Sequence, residues 1–90
     1  MAYCYFTFPS TYYALKAEKK IQEHLSNIPF KMVPVPRRIS SSCGTALRCS
    51  PDNADVIQKV LLQQQIEFEG KHFLQEEKLN LKDLLKLRKG

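Results

Sequence analysis

The sequence predicts an α+β domain of the ferredoxin-like, split βαβ type, with a four-stranded antiparallel sheet carrying two helices on one face. Three observations predict it. Aromatic and β-branched runs alternate with segments of helical period in the order strand, helix, strand, strand, helix, strand. Ninety residues with a 43% hydrophobic content supply one core rather than two. Right-handed crossovers then leave few ways of joining these elements in a single sheet.

The first strand spans Ala2 to Phe8, where period two puts Cys4, Phe6 and Phe8 on one face and Tyr3, Tyr5 and Thr7 on the other. Pro9 stops it. Ser10 or Thr11 caps a helix whose apolar positions Ala14, Ala17, Ile21 and Leu25 recur at helical spacing, and Asn27 to Pro29 end it. Phe30 to Val35 is a second strand, and Pro34 and Pro36 confine it to an edge or a strand end. Thr45 to Cys49 is a short third strand. Ser50-Pro51-Asp52 opens the second helix with a capping hydroxyl, a proline in the first turn and an acid at the positive end of the dipole. Its stripe runs through Val56, Ile57, Val60 and Leu61 to Gln64, with the end near Gln65. Ile66 to Leu74 reads as the fourth strand, bulged at Gly70. Phe6, Phe8, Leu15, Val33, Ile57, Val60, Leu61 and Phe68 are the expected core.

The domain is expected over residues 1–74. Residues 75–90 form a linker and a helical extension, in which Asn80 caps a turn or two carrying Leu81, Leu84 and Leu85. At about ten residues such a helix is marginal in isolation and needs a surface to dock on.

Fourteen Lys and Arg against nine Asp and Glu give a net charge of +5, which favours anionic partners. Much of this charge sits in two runs, Lys16 with Lys19 and Lys20, and Lys78 to Lys89, that read as solvated faces. No stretch approaches the ~18 apolar residues of a membrane span, and the N-terminus lacks the pattern of a signal peptide. A cytoplasmic protein without a membrane segment is expected. Cys4, Cys43 and Cys49 are odd in number and contain no C-x-x-C, and His24 and His72 complete no metal-binding spacing, so neither a metal nor a cofactor is expected. In a reducing compartment the thiols stay free. Cys4 and Cys49, each within a strand, are expected to pack in the core, leaving Cys43 as the reactive one.

Cys43 closes the segment Pro36-Arg37-Arg38-Ile39-Ser40-Ser41-Ser42-Cys43-Gly44. A free thiol titrates near ~8.5, and cations or backbone N–H groups aimed at the sulfur favour its thiolate. Arg37, Arg38 and Arg48 are the cations at hand, Ser40, Ser41 and Ser42 supply hydroxyls, and Gly44 lets the backbone turn and present amides to an anion. The segment is therefore expected to be an exposed loop with Cys43 as its catalytic residue and Arg37, Arg38, Ser40, Ser41, Ser42, Gly44 and Arg48 as its binding residues. The alternative is a serine-rich turn in which the cysteine has no chemical role.

Taken together, Phe6-Thr7-Phe8-Pro9-Ser10-Thr11, the helix with Ala14-Leu15-x-Ala17-Glu18, Val33-Pro34-Val35-Pro36-Arg37, Ser40-Ser41-Ser42-Cys43-Gly44 and Ala46-Leu47-Arg48 resemble the putative selenium/sulfur carrier protein-like family of short bacterial proteins. The resemblance covers about residues 3–74 and leaves Leu79 onward as an extension private to this chain. It implies a compact α/β domain in which Cys43 accepts sulfur or selenium as a persulfide or selenosulfide from a donor protein and hands it to an acceptor. Arg37, Ser41, Ser42, Cys43, Gly44 and Arg48 fall on the family's recurrent loop residues. In that reading Arg37 and Arg48 stabilise the terminal anion, the serines donate hydrogen bonds and Gly44 admits the acceptor. The protein is then a carrier more than a stand-alone enzyme.

Other classes compete with it. A phosphatase-like loop would use Cys43 and Arg48, yet four residues separate them instead of five, and a strand follows instead of a helix. An RNA-binding module would stack bases on Tyr3 and Tyr5, but the third strand lacks the aromatic pair such modules carry, which argues against a nucleic-acid partner. A regulatory or adaptor domain would pair a free sheet face or the C-terminal helix with a second copy, and bind a small anion through the serine loop. Glu18, Glu23, Glu67 and Glu69 are expected to be solvated surface.

Overall fold

The computed structural model describes residues 2–75, and the linker and helix expected over 76–90 lie outside them. The chain forms β1 (Ala2–Thr7), α1 (Thr11–His24), β2 (Phe30–Pro34), β3 (Thr45–Cys49), α2 (Ala54–Gln63) and β4 (Gly70–Gln75). The strands make one sheet in the order β2-β3-β1-β4, antiparallel at every pairing. The protein is thus α+β, with a four-stranded antiparallel sheet and two helices. β2, which carries Pro34, lies at an edge, where the missing N–H costs no ladder bond.

Period two along β1 divides the molecule into two apolar clusters. On one side Cys4, Phe6 and Phe8 meet Leu47 and Cys49 of β3, and over them pack Ala14, Ala17 and Ile21 from α1 and Ala54, Ile57, Val60 and Leu61 from α2. Full burial of one such side chain is worth about 1.5–3 kcal/mol, so this cluster is the principal stabilising feature. On the other side Tyr5, Ala46 and Ile39 are buried together, with Tyr3, Val33, Val35 and Leu74 packed around them. Ile39 comes from the segment between β2 and β3, which folds back across the sheet. That face is therefore partly covered, and Tyr5 is a buried residue instead of an exposed stacking platform.

Three expectations need correction. Leu15 is 60% exposed, because it lies one position off the stripe formed by Ala14, Ala17 and Ile21. Val56 is likewise exposed, one position before the buried Ile57. The fourth strand begins at Gly70 and not at Ile66, and its register with β1 runs unbroken from Thr7↔Gly70 to Ala2↔Gln75, without a bulge. Gln65 takes a left-handed conformation (φ 56°), and the Ile66 N–H bonds back to Leu61 O at 2.9 Å. This turn sends Ile66 into the core and leaves Phe68 edge-on to Phe6, with ring centroids 5.3 Å apart.

Second-helix capping follows the sequence reading. The Ser50 hydroxyl accepts the Asp52 N–H at 3.4 Å, and Pro51–Asn53 forms a 3-10 turn leading into α2. Lys71 of β4 then reaches Gln58 at 2.7 Å and Asp55 at 3.3 Å, joining the far edge of the sheet to α2.

Candidate functional site

The segment between β2 and β3 is held at its neck by the Val35 N–H bonding to Gly44 O at 3.1 Å, with a turn from Ile39 N–H to Pro36 O at 2.9 Å inside it. Ile39 anchors its middle to one sheet face, and Cys43 turns toward the other. Only 4% of Cys43 is exposed, and it belongs to the helix-covered core. The expectation of an exposed cysteine is therefore corrected: all three cysteines are free and buried. Ser42 and Gly44 on either side of it are exposed, while Cys43 itself packs into the core.

Around that sulfur the structure places two polar groups. The Thr45 N–H points at Cys43 Sγ from 3.4 Å, and Thr11 Oγ1 lies 3.8 Å away. Thr11 is the first residue of α1, whose first turn carries no acid, so Cys43 sits beside the positive end of a helix dipole. The sequence offers Thr11 as a helix cap and Thr45 as the start of a strand, not as neighbours of the cysteine, since Thr11 is 32 residues away and only the fold joins them.

The serines face outward, and their partner is unexpected. Ser42 N–H donates to Glu69 Oε1 at 2.9 Å, Ser41 Oγ to the same oxygen at 3.1 Å, and Ser42 Oγ to Oε2 at 2.7 Å. Glu69 is exposed, as the sequence predicts, and these three contacts are what the sequence does not announce. Its carboxyl is held below the usual carboxylate range, first by the Ser42 N–H, then by the Ser42 hydroxyl and to a lesser degree by that of Ser41. Glu69 is itself positioned from the sheet, because its N–H donates to Thr7 O at 2.6 Å. Ser41 also reaches inward: its oxygen accepts the Cys43 N–H at 3.3 Å and approaches Phe8 O at 3.5 Å.

The remaining expected site residues are dispersed. Arg37, Arg38 and Ser40 are exposed on the same segment. Gly44 is exposed, does not adopt a positive φ, and a Cβ added there would meet nothing within 4 Å, so its backbone conformation does not require glycine. Arg48 alternates along β3 with the core residues Leu47 and Cys49 and thus projects to the opposite face, where its guanidinium lies 4.5 Å from the centre of the Tyr3 ring. The structure brings Ser41, Ser42 and Cys43 together and puts Arg48 across the sheet from them.

Cys4 and Cys49 make a second thiol pair. They are register partners between β1 and β3, and a hydrogen bond between the sulfurs holds the Cys4 thiol below its ordinary value while pushing that of Cys49 up.

The resemblance implies a compact α/β domain with Cys43 exposed in a serine-glycine loop; the small α+β domain and the loop are present, and the cysteine is buried instead. The model of the family described as "Putative Se/S carrier protein-like" matches residues 3–73, which is most of the chain. The chain belongs to this family. The match takes in β1 through most of β4, including the segment with Cys43 and the post on which Glu69 stands. No curated protein and no solved structure is significantly similar to the chain. Among the described residues no helix is long and apolar enough to cross a membrane.

Proposed function

We propose that this member of the Se/S carrier-like family carries sulfur or selenium on Cys43. The observation that carries the reading is the family match over residues 3–73, which contains one cysteine in a serine-glycine loop beside a helix N-terminus. In the transfer the Cys43 thiolate attacks the terminal sulfur of a donor persulfide. The donor S–S bond breaks, the Cys43 S–S bond forms, and the donor leaves as its thiolate, so no external oxidant or reductant is needed. The reverse exchange delivers the atom to an acceptor. In this scheme the Thr45 N–H and the Thr11 hydroxyl are the polar groups beside Sγ, and Arg37 and Arg38 lie exposed on the same segment. Arg48, stacked on Tyr3 across the sheet, is left out of it. The proposal includes a ferredoxin-like core, which the strand order β2-β3-β1-β4 supports, and a reducing, cytoplasmic setting, with which three free thiols agree.

The test is intact-mass analysis after exposure to polysulfide, and separately to selenite with glutathione. A gain of one sulfur or selenium that is reversed by excess dithiol and absent in Cys43→Ser is expected. A gain that persists in Cys43→Ser, or none at all, overturns the proposal.

One observation favours a second reading, a non-enzymatic adaptor that binds an anion through the serine loop: Ser41 and Ser42 already hold a carboxylate. Anion binding that survives in Cys43→Ser with no sulfur loading on wild type would put that reading first.

A further inference from the structure

A carrier sulfur must be reached by donor and acceptor, yet Cys43 is 4% exposed and belongs to the helix-covered core, at the end of the segment that carries Ser41 and Ser42. Glu69 ties that segment to the chain before β4. Three donors from two consecutive residues converge on its two oxygens at 2.7–3.1 Å. Ser41 Oγ, which donates to the carboxylate, also accepts the Cys43 N–H, so the Glu69 contact is transmitted to the backbone of the cysteine through one hydroxyl. Glu69 is fixed on the other side by its bond to Thr7 O and by its neighbour Phe68 packed on Phe6. Between Val35 and Thr45 the backbone bonds are the neck at Gly44 and the single turn at Ile39.

The contact is also open to exchange. Glu69 and Ser42 are exposed, so another anion can compete at the same donors without unfolding anything. Two hydroxyls and one N–H are neutral donors that match any pair of oxygens spaced as in a carboxylate, which sulfate, thiosulfate and sulfonates all present.

We propose that Glu69 is a latch over Cys43, and that the oxyanion end of a sulfur- or selenium-bearing compound opens it by replacing the carboxylate on Ser41 and Ser42. This rests on the carrier reading for its purpose, but its test reads access to the thiol and not loading. Displaced Glu69 swings into solvent, the segment that carries Cys43 loses its three bonds to Glu69, and Cys43 meets the sulfur compound whose anionic end now sits on the adjacent residues. The binding class is a small divalent or monovalent oxyanion.

The experiment is the rate of Cys43 alkylation by neutral iodoacetamide, located by peptide mass mapping, in sodium chloride and in sodium sulfate at equal ionic strength. Glu69→Ala is expected to raise the Cys43 rate at least tenfold while Cys4 and Cys49 remain protected. Ser42→Ala, which keeps Glu69, is expected to raise it in the same direction. Sulfate should accelerate wild type several-fold over chloride and have no such effect on Glu69→Ala. As sulfate ordinarily tightens folded proteins, an acceleration cannot come from its general action. A Cys43 rate within twofold of wild type in both variants overturns the latch, as does a parallel rise at all three cysteines, which would mean general loosening. No sulfate effect on wild type overturns the exchange. A chain that never gains sulfur but shows the tenfold rise would sink the carrier reading and keep the latch.

Discussion

Glu69 grips Ser42 twice, taking the backbone N–H on one carboxylate oxygen at 2.9 Å and the hydroxyl on the other at 2.7 Å. The two residues are 27 positions apart, and their contact joins the segment before β3 to the post before β4.

The grip has a pH signature. Because the folded-state value of Glu69 is depressed, its contribution to stability is fully present above the ordinary carboxylate value of about 4.3 and is lost as pH falls through the folded value. The Glu69 side-chain carbon resonance, followed by NMR, should titrate below that ordinary value, and the Ser42 amide resonance should move with the same midpoint. Ser42→Ala removes one of the donors and should raise the midpoint. A midpoint at or above the ordinary value in wild type would contradict the contact.

The buried thiol pair gives an independent titration. Thiolate absorbance should show Cys4 ionising ahead of an ordinary cysteine, with Cys49 remaining protonated. In Cys49→Ala the hydrogen bond is gone and burial remains, so the Cys4 midpoint should rise. An unchanged midpoint would mean that the two sulfurs do not interact.

Core and surface leucines should separate cleanly. Leu47 is fully buried between β1 and the helices, and Leu47→Ala should cost about 2–5 kcal/mol in denaturant unfolding. Leu15→Ala should stay within about 0.5 kcal/mol, since that side chain is mostly in solvent. A large loss at Leu15 would show that α1 presents a different face.

Arg48 should matter to the sheet and not to the cysteine. Arg48→Ala removes the cation from the Tyr3 ring, with an expected cost of about 0.5–1 kcal/mol, and should leave the alkylation rate of Cys43 within twofold of wild type. A slower Cys43 reaction in this variant would restore Arg48 to the site.

Features set by neighbours in sequence and features set by distant contacts differ in how far the chain announces them. Period two in β1, the extent of β3 and the Ser50-Pro51 start before α2 were legible, because each is set by neighbours in sequence. Edge placement of β2 followed from a proline's missing donor. Leu15 and Val56 were misplaced because an apolar residue adjacent to a helical stripe has the same composition as one within it. Ile66 and Phe68 alternate like a strand yet serve as separate plugs after a left-handed Gln65, whose conformation nothing in the sequence announced. The serines and arginines around Cys43 predict exposure, but burial depends on where a loop folds, and this one turns its cysteine into the helix-covered core. Glu69 had no local signature at all. A carboxylate meeting two serines across the chain becomes visible only when β1 and β4 are paired.

The withdrawal of all three cysteines from the surface has a practical corollary. Cross-linking between two molecules in air requires a sulfur that a second molecule can touch, and this chain offers Cys4, Cys43 and Cys49 at 0%, 4% and 2% exposure. Stored without reductant, it should form few covalent dimers. A bulk thiol reagent should count fewer groups in the native protein than in the denatured one.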